Sequence, residues 1–177
     1  MKIAIYWEQN SWGGVDTQLL ALLRSWPTEG DSFVIYYNKG NNGLERIRSD
    51  VESLNNVTLK EIVSWSLNEV YVRMARSSLP GLLRKSVYFF QPFLFVYMIF
   101  KLARIFKNDG EYDVLLANNG GYPAAWGCLS SILAAKRAGI RVRVLLVHHE
   151  ANRAGLFMSW YEHIVDALVI RAVSAIT

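Results

Sequence analysis

The sequence predicts a doubly wound α/β fold, a mostly parallel sheet with helices on both faces. Three observations predict it. Short apolar runs alternate with apolar stripes at helical spacing along the whole chain. Several of the short runs are apolar at nearly every position, as strands buried on both faces are. Glycine-rich turns follow the first and fourth runs, where a strand passes into a helix in βαβ units. At 177 residues the chain is expected to be one domain, residues 1–177. Its 52% apolar content supplies a core, and its 19% charged residues are too few for a disordered chain. A single cysteine, Cys128, excludes a disulfide framework and a Cys-rich zinc site.

The elements follow in order. Lys2–Trp7 opens as a strand, apolar at Ile3, Ala4, Ile5 and Tyr6. A turn with Asn10, Ser11, Gly13 and Gly14 follows. Val15, Leu19, Leu22 and Leu23 then recur at helical spacing and stop before Pro27. Residues 32–37 read as the second strand, and Leu44, Ile47, Val51 and Leu54 mark the second helix. Residues 57–63 are the third strand candidate, and residues 70–108 hold one or two helices. Residues 113–117 read as a strand, 122–138 as a helix closed by Gly139, and 141–147 as a strand. The last helix covers 157–173, with Tyr161, Ile164, Val165, Leu168 and Val169 on its apolar side. Residues 174–177 look like a further strand just beginning, so the chain is expected to be part of a longer protein.

The formal charge of +4 is concentrated in one place. Residues 70–108 contain no Asp or Glu but seven basic residues, including Arg84, Lys85, Lys101 and Arg104. That segment carries +7 and the rest of the chain −3. Within it lie fourteen uncharged residues, 87–100, of which seven are aromatic, Phe93 among them. The run is shorter than the roughly 20 residues a spanning helix needs, and Pro92 interrupts it. Two readings stay open: a core helix packed on the sheet, or a helix in an anionic membrane interface. The second makes Arg84, Lys85, Phe93, Lys101 and Arg104 membrane-facing. Interleaved arginines and aromatics also suit nucleic acid, but a domain of net −3 outside this segment argues against a nucleic-acid partner. The amino terminus lacks a secretory signal, so the protein is expected in the cytoplasm, peripheral on the inner membrane face if the second reading holds.

In open α/β sheets ligands sit beyond the carboxyl ends of the strands, which singles out three loops. The first contains Gly13 and Gly14, where backbone can approach a ligand and a helix N-terminus attracts an anion. The second is Asn118-Asn119-Gly120-Gly121, whose amides suit sugar hydroxyls. The third is His148-His149-Glu150, where a histidine can bond substrate or act as a base. Each is also an ordinary turn. Neither a dinucleotide fingerprint nor a P-loop is spelled out, and His149-Glu150 lacks the second histidine of a zinc protease motif. No metal site and no cofactor is expected.

Taken together, the loops resemble glycosyltransferase family 4. Gly13-Gly14-Val15-Asp16 is similar to the family's Gly-Gly-x-Glu turn, with Asp16 in place of Glu. Asp113-Val-Leu-Leu-Ala-Asn-Asn119 is similar to its fourth-strand segment, with Asn119 where a histidine is common. Val144-Leu-Leu-Val-His148 and the run from Asp166 to Thr177 match two further segments in order. The resemblance implies a GT-B fold, two Rossmann-like domains with the active site between them. This chain would be the N-terminal, acceptor-side domain, and the C-terminal, donor-binding domain would be absent from it.

The implied activity is metal-independent, retaining sugar transfer. A nucleotide sugar is the donor substrate, and a glycan or lipid-linked sugar is the acceptor, as in surface polysaccharide synthesis. Gly13 and Gly14 would reach the donor phosphate, and His148 would contact the donor sugar as the catalytic histidine. Asn119, Gly120, His149 and Glu150 would bind acceptor or sugar. Whether His148 or His149 faces the site stays open. The chain alone is expected to be inactive. A non-catalytic nucleotide- or anion-binding module is the alternative, with nucleic-acid binding behind it.

Overall fold

The computed structural model describes residues 1–9, 13–77, 86–120, 125–148 and 159–177. The elements are β1 (Lys2–Trp7), α1 (Gly14–Arg24), β2 (Ser32–Asn38), α2 (Asn42–Glu52), β3 (Val57–Ile62) and α3 (Leu67–Ala75). A 3₁₀ turn (Ser86–Phe90) leads into α4 (Gln91–Asn108), followed by β4 (Val114–Asn119), α5 (Trp126–Ala138), β5 (Val142–Val147), α6 (Ser159–Ile170) and β6 (Ala175–Ile176). The sheet order is β3-β2-β1-β4-β5-β6 and every pairing is parallel. This is the doubly wound, Rossmann-like order, and the chain reverses direction across the sheet between β1 and β4.

Strand periodicity divides the core into two. Ile3, Ile5 and Trp7 of β1 point to one face with Phe33, Ile35 and Tyr37 of β2, where α1 and α2 cover them. Ala4 and Tyr6 point to the other face with Val34 and Tyr36, under α3, α4, α5 and α6. Burial on both faces is why these strands read as continuous apolar runs.

Local chemistry sets the helix boundaries. Asn41 caps α2, its Oδ1 accepting the Leu44 N–H at 2.9 Å, while its Nδ2 donates to the Trp7 carbonyl at 3.3 Å. Asn41→Ala removes the cap and leaves buried groups unpaired, a loss of about 2 kcal/mol. Urea unfolding measures it as a lower midpoint at unchanged slope. Gly139 ends α5 at φ 91°, the left-handed conformation expected of it.

Pro92 does not interrupt the aromatic run. It lies in the first turn of α4, where its missing N–H would have no helical partner. The run therefore divides into a 3₁₀ turn and a helix of 18 residues. By length and mean hydropathy Val87–Asn108 could cross a membrane, yet one side of it is core. Phe95, Met98, Leu102, Ala103 and Phe106 are buried, and α4 packs chiefly on α5. The opposite side is exposed and aromatic: Phe89 is 81% and Phe93 73% accessible, with Phe90, Tyr97 and Phe100 beside them. The core reading therefore holds for one side of the helix, and the other side is exposed.

Candidate functional site

The strand-order reversal leaves a crevice at the carboxyl ends of β1 and β4, between the start of α1 on one face and the start of α5 on the other. Residues from all three loops meet there. Gly120, just past β4, lies against α1: a Cβ on it would sit 3.3 Å from Val15 Cγ2, next to Gly14. His148, just past β5, turns back to β4. Its Nε2 is 2.7 Å from Asn118 Oδ1 and its backbone N–H donates to the Asn119 carbonyl at 3.3 Å. Asn119 Oδ1 accepts the Ala125 N–H at 3.2 Å and so ties the end of β4 to the start of α5. Asn118 Nδ2 is buried and has no hydrogen-bond partner among the described residues.

Gly120 therefore lies against the start of α1, which begins at Gly14, and His148 lies against Asn118 and Asn119 at the carboxyl end of β4. His149 and Glu150 fall outside the described residues, as do Arg84 and Lys85. Of the other membrane-facing candidates, Phe93 and Arg104 are exposed. Lys101 is folded back on the domain, donating to the Val63 carbonyl at 2.6 Å with its ammonium near the Tyr97 ring. Arg137 of α5 joins the exposed face instead, its guanidinium 4.5 Å from the Phe100 ring centroid.

A buried acidic network beneath the crevice was not among the candidates. Glu8 follows β1 on the side of Tyr6 and is 5% exposed. Its Oε1 accepts from the Ser66 hydroxyl, the N-cap of α3, and its Oε2 accepts from the Tyr6 hydroxyl at 3.3 Å. The Gly127 N–H in the first turn of α5 donates to it as well. Burial, with Glu69 nearby, lifts the Glu8 carboxyl from the ordinary 4.5 to about 7. Glu69 is raised too, chiefly by burial, and accepts from Asn38 Nδ2 at 2.5 Å. Asn38 Oδ1 in turn accepts the Gln9 N–H at 2.9 Å. One carboxylate thus pins the end of β1 to the starts of two helices.

Gly127 is what makes room for it. A Cβ there would lie 1.7 Å from Glu8 Oε2 and 2.6 Å from the Tyr6 hydroxyl oxygen. Two sequence signals pointed this way: the Ser66-x-x-Glu69 spacing of a helix start, and a glycine inside an otherwise good helix.

No protein-family model matches the chain, and no curated protein matches it. The likeness is in structure. Acinetobacter baumannii MurG superimposes with a TM-score of 0.56 at 14% identity, covering 99% of this chain and 40% of that one. A UDP-N-acetylglucosamine 2-epimerase superimposes with a TM-score of 0.55 at 10% identity, covering 99% and 41%. The fold is the Rossmann-like, GT-B type. The chain spans about two fifths of the length of these two proteins.

The crevice offers amide and imidazole groups, backbone N–H donors and carboxylates. Cys128 is buried, its thiol pushed up by desolvation and its Sγ against the Asn118 carbonyl, so it is no nucleophile for this site. No group of three metal-ligating side chains occurs among the described residues. The arrangement suits hydrogen bonding to hydroxyls and diphosphates.

Proposed function

We propose that this chain is the acceptor-side half of a glycosyltransferase, which moves a sugar from a nucleotide-sugar donor to a sugar or lipid-linked sugar acceptor. The observation that carries this is the meeting of the three loops at the strand-order reversal, with His148 held by Asn118 and Gly120 seated against α1. The epimerase neighbour acts on a UDP-sugar by its name, which supports a nucleotide-sugar role for the same fold. In the reaction an acceptor hydroxyl forms the new C–O bond, the sugar–phosphate bond breaks, and the nucleoside diphosphate leaves, its phosphate oxygen taking up the hydroxyl proton. Fixed N–H donors stabilise charge on that leaving group without reorganising. A second Rossmann-like half grips the donor, and His148 contacts the donor sugar. The transfer proceeds with retention at the sugar carbon.

Thermal shift tests this reading with UDP-N-acetylglucosamine, UDP and a lipid-linked monosaccharide. Stabilisation by the sugar-bearing ligands beyond UDP alone is the expected result. An equal response to UDP, with none to the saccharide, favours a non-catalytic nucleotide-binding module.

The exposed aromatic side of the 3₁₀ turn and α4 supports a reading in which the enzyme rests on an anionic membrane. Phe95 packs edge-on to Trp126 at 6.1 Å, so the aromatic half of α4 lies beside the start of α5 and the crevice. A lipid-linked acceptor reaches the site from that side. The expected result is flotation with phosphatidylglycerol vesicles that weakens as salt rises. Phe89→Ser combined with Phe93→Ser should weaken vesicle binding at least about tenfold, since burial of each ring is worth about 1.5–3 kcal/mol. Its melting temperature should hold, because both rings are exposed. No flotation of the wild type at low salt rejects the membrane contact.

A further inference from the structure

Gly13 and Gly14, the N-cap and first residue of α1, are exposed, and neither packing nor a left-handed backbone requires a glycine at either position. Gly13 has φ −171°, extended backbone open to any residue, and Gly14 is not in the left-handed region. A Cβ on either would meet nothing within 4 Å. Gly127 and Gly139 each have a packing or conformational reason, and these two have neither. Exposed glycines facing open space keep the backbone bare for something that arrives from outside.

Asp16, two residues further on, points to what arrives. It lies in the first turn of α1, is 0% exposed, and among the described residues neither carboxylate oxygen has a hydrogen-bond partner. The other buried carboxylates are satisfied. Glu8 has Ser66 and Tyr6, Glu69 has Asn38 and Arg73, and Asp31 has the N-terminal ammonium and Trp26. Helix geometry tilts side chains toward the N-terminus, and an acid at the third helical position reaches back to the N-cap. Gly13, the N-cap here, offers no side-chain bond. The first-turn N–H groups, which have no partner within a helix, therefore share the start of α1 with two buried acceptor oxygens.

A ligand for this corner must both donate and accept. The diphosphate of a nucleotide sugar only accepts, and it would meet the two unpaired oxygens of Asp16. A hydroxyl does both. We propose that Gly13, Gly14 and Asp16 hold the hydroxyls of a neutral sugar ring, the acceptor, in place of a donor phosphate. This rests on the sugar-transfer reading and assigns which substrate binds at the turn.

Melting and titration of the wild type, Asp16→Asn and Gly14→Ala test it, with methyl N-acetyl-β-glucosaminide and inorganic pyrophosphate as probes. Asp16→Asn should melt higher without ligand, because a buried charge lacking donors is removed. It should bind the glycoside about tenfold more weakly. Gly14→Ala should melt no lower than the wild type, yet lose the glycoside through its added methyl group. Tighter binding of pyrophosphate than glycoside by the wild type overturns the proposal. So does an Asp16→Asn variant that melts lower with glycoside affinity unchanged. If the glycoside binds all three proteins equally, the assignment fails while the sugar reading stands. If the wild type binds neither the glycoside nor UDP-N-acetylglucosamine, both fail.

Discussion

Gly127→Ala is expected to destabilise the domain by about 3 kcal/mol or more. An alanine near the start of an ordinary helix stabilises by about 0.5–1 kcal/mol relative to glycine, so the sign itself is diagnostic. Here the methyl group would sit 1.7 Å from Glu8 Oε2. Either α5 moves off the sheet, or Glu8 swings out and abandons Ser66 and Tyr6. Both routes break a buried hydrogen-bonded network. Pairing Gly127→Ala with Glu8→Ala should recover much of the loss, because the smaller side chain makes room. A double-mutant cycle by urea denaturation measures this, and a coupling near about 2 kcal/mol is expected. Additive losses would mean that Gly127 and Glu8 act separately.

The second large effect is on pH dependence. Glu8 has its carboxyl lifted to about 7 in the folded domain, against about 4.5 for an ordinary glutamate. Between those values the native state holds a proton that the unfolded chain releases. Stability from this group is thus fully present below about pH 4.5, falls as pH rises through the window, and is flat above pH 7. The span corresponds to about 3 kcal/mol. Glu69, raised in the same direction, adds to the slope. Unfolding free energies at pH 5 and pH 8 should differ by less in Glu8→Gln than in the wild type, because the glutamine does not titrate. Parallel pH profiles for the two proteins would show that Glu8 titrates normally.

The parallel sheet was legible because its central strands β1, β2 and β4 are buried on both faces while α1 and α2 are buried on one. That contrast writes itself into the apolar pattern, as in Lys2–Trp7 against Val15, Leu19 and Leu23. The three loops were legible from their place after strands, a rule of topology needing no contacts. The acidic network was not, since Glu8, Ser66 and Gly127 are far apart in sequence and only the fold joins them. Asp16 could be named as a departure from a family pattern, but its burial without partners is a tertiary property. The aromatic run was ambiguous for a physical reason. An aromatic helix reads the same in sequence whether a ring faces the core, as Phe95 does, or solvent, as Phe93 does. Only the seat of α4 on α5 separates them.

The most direct test of a sugar site at the strand-order reversal is a backbone amide NMR titration with the methyl glycoside and with UDP-N-acetylglucosamine. The account predicts shift changes gathered at Gly13, Gly14, Asn118, Asn119, Gly120 and His148. Changes gathered instead at the opposite edge of the sheet would contradict it. There Gly110, Tyr112, Ile140 and Arg141 line a cavity beneath the amino ends of β4 and β5.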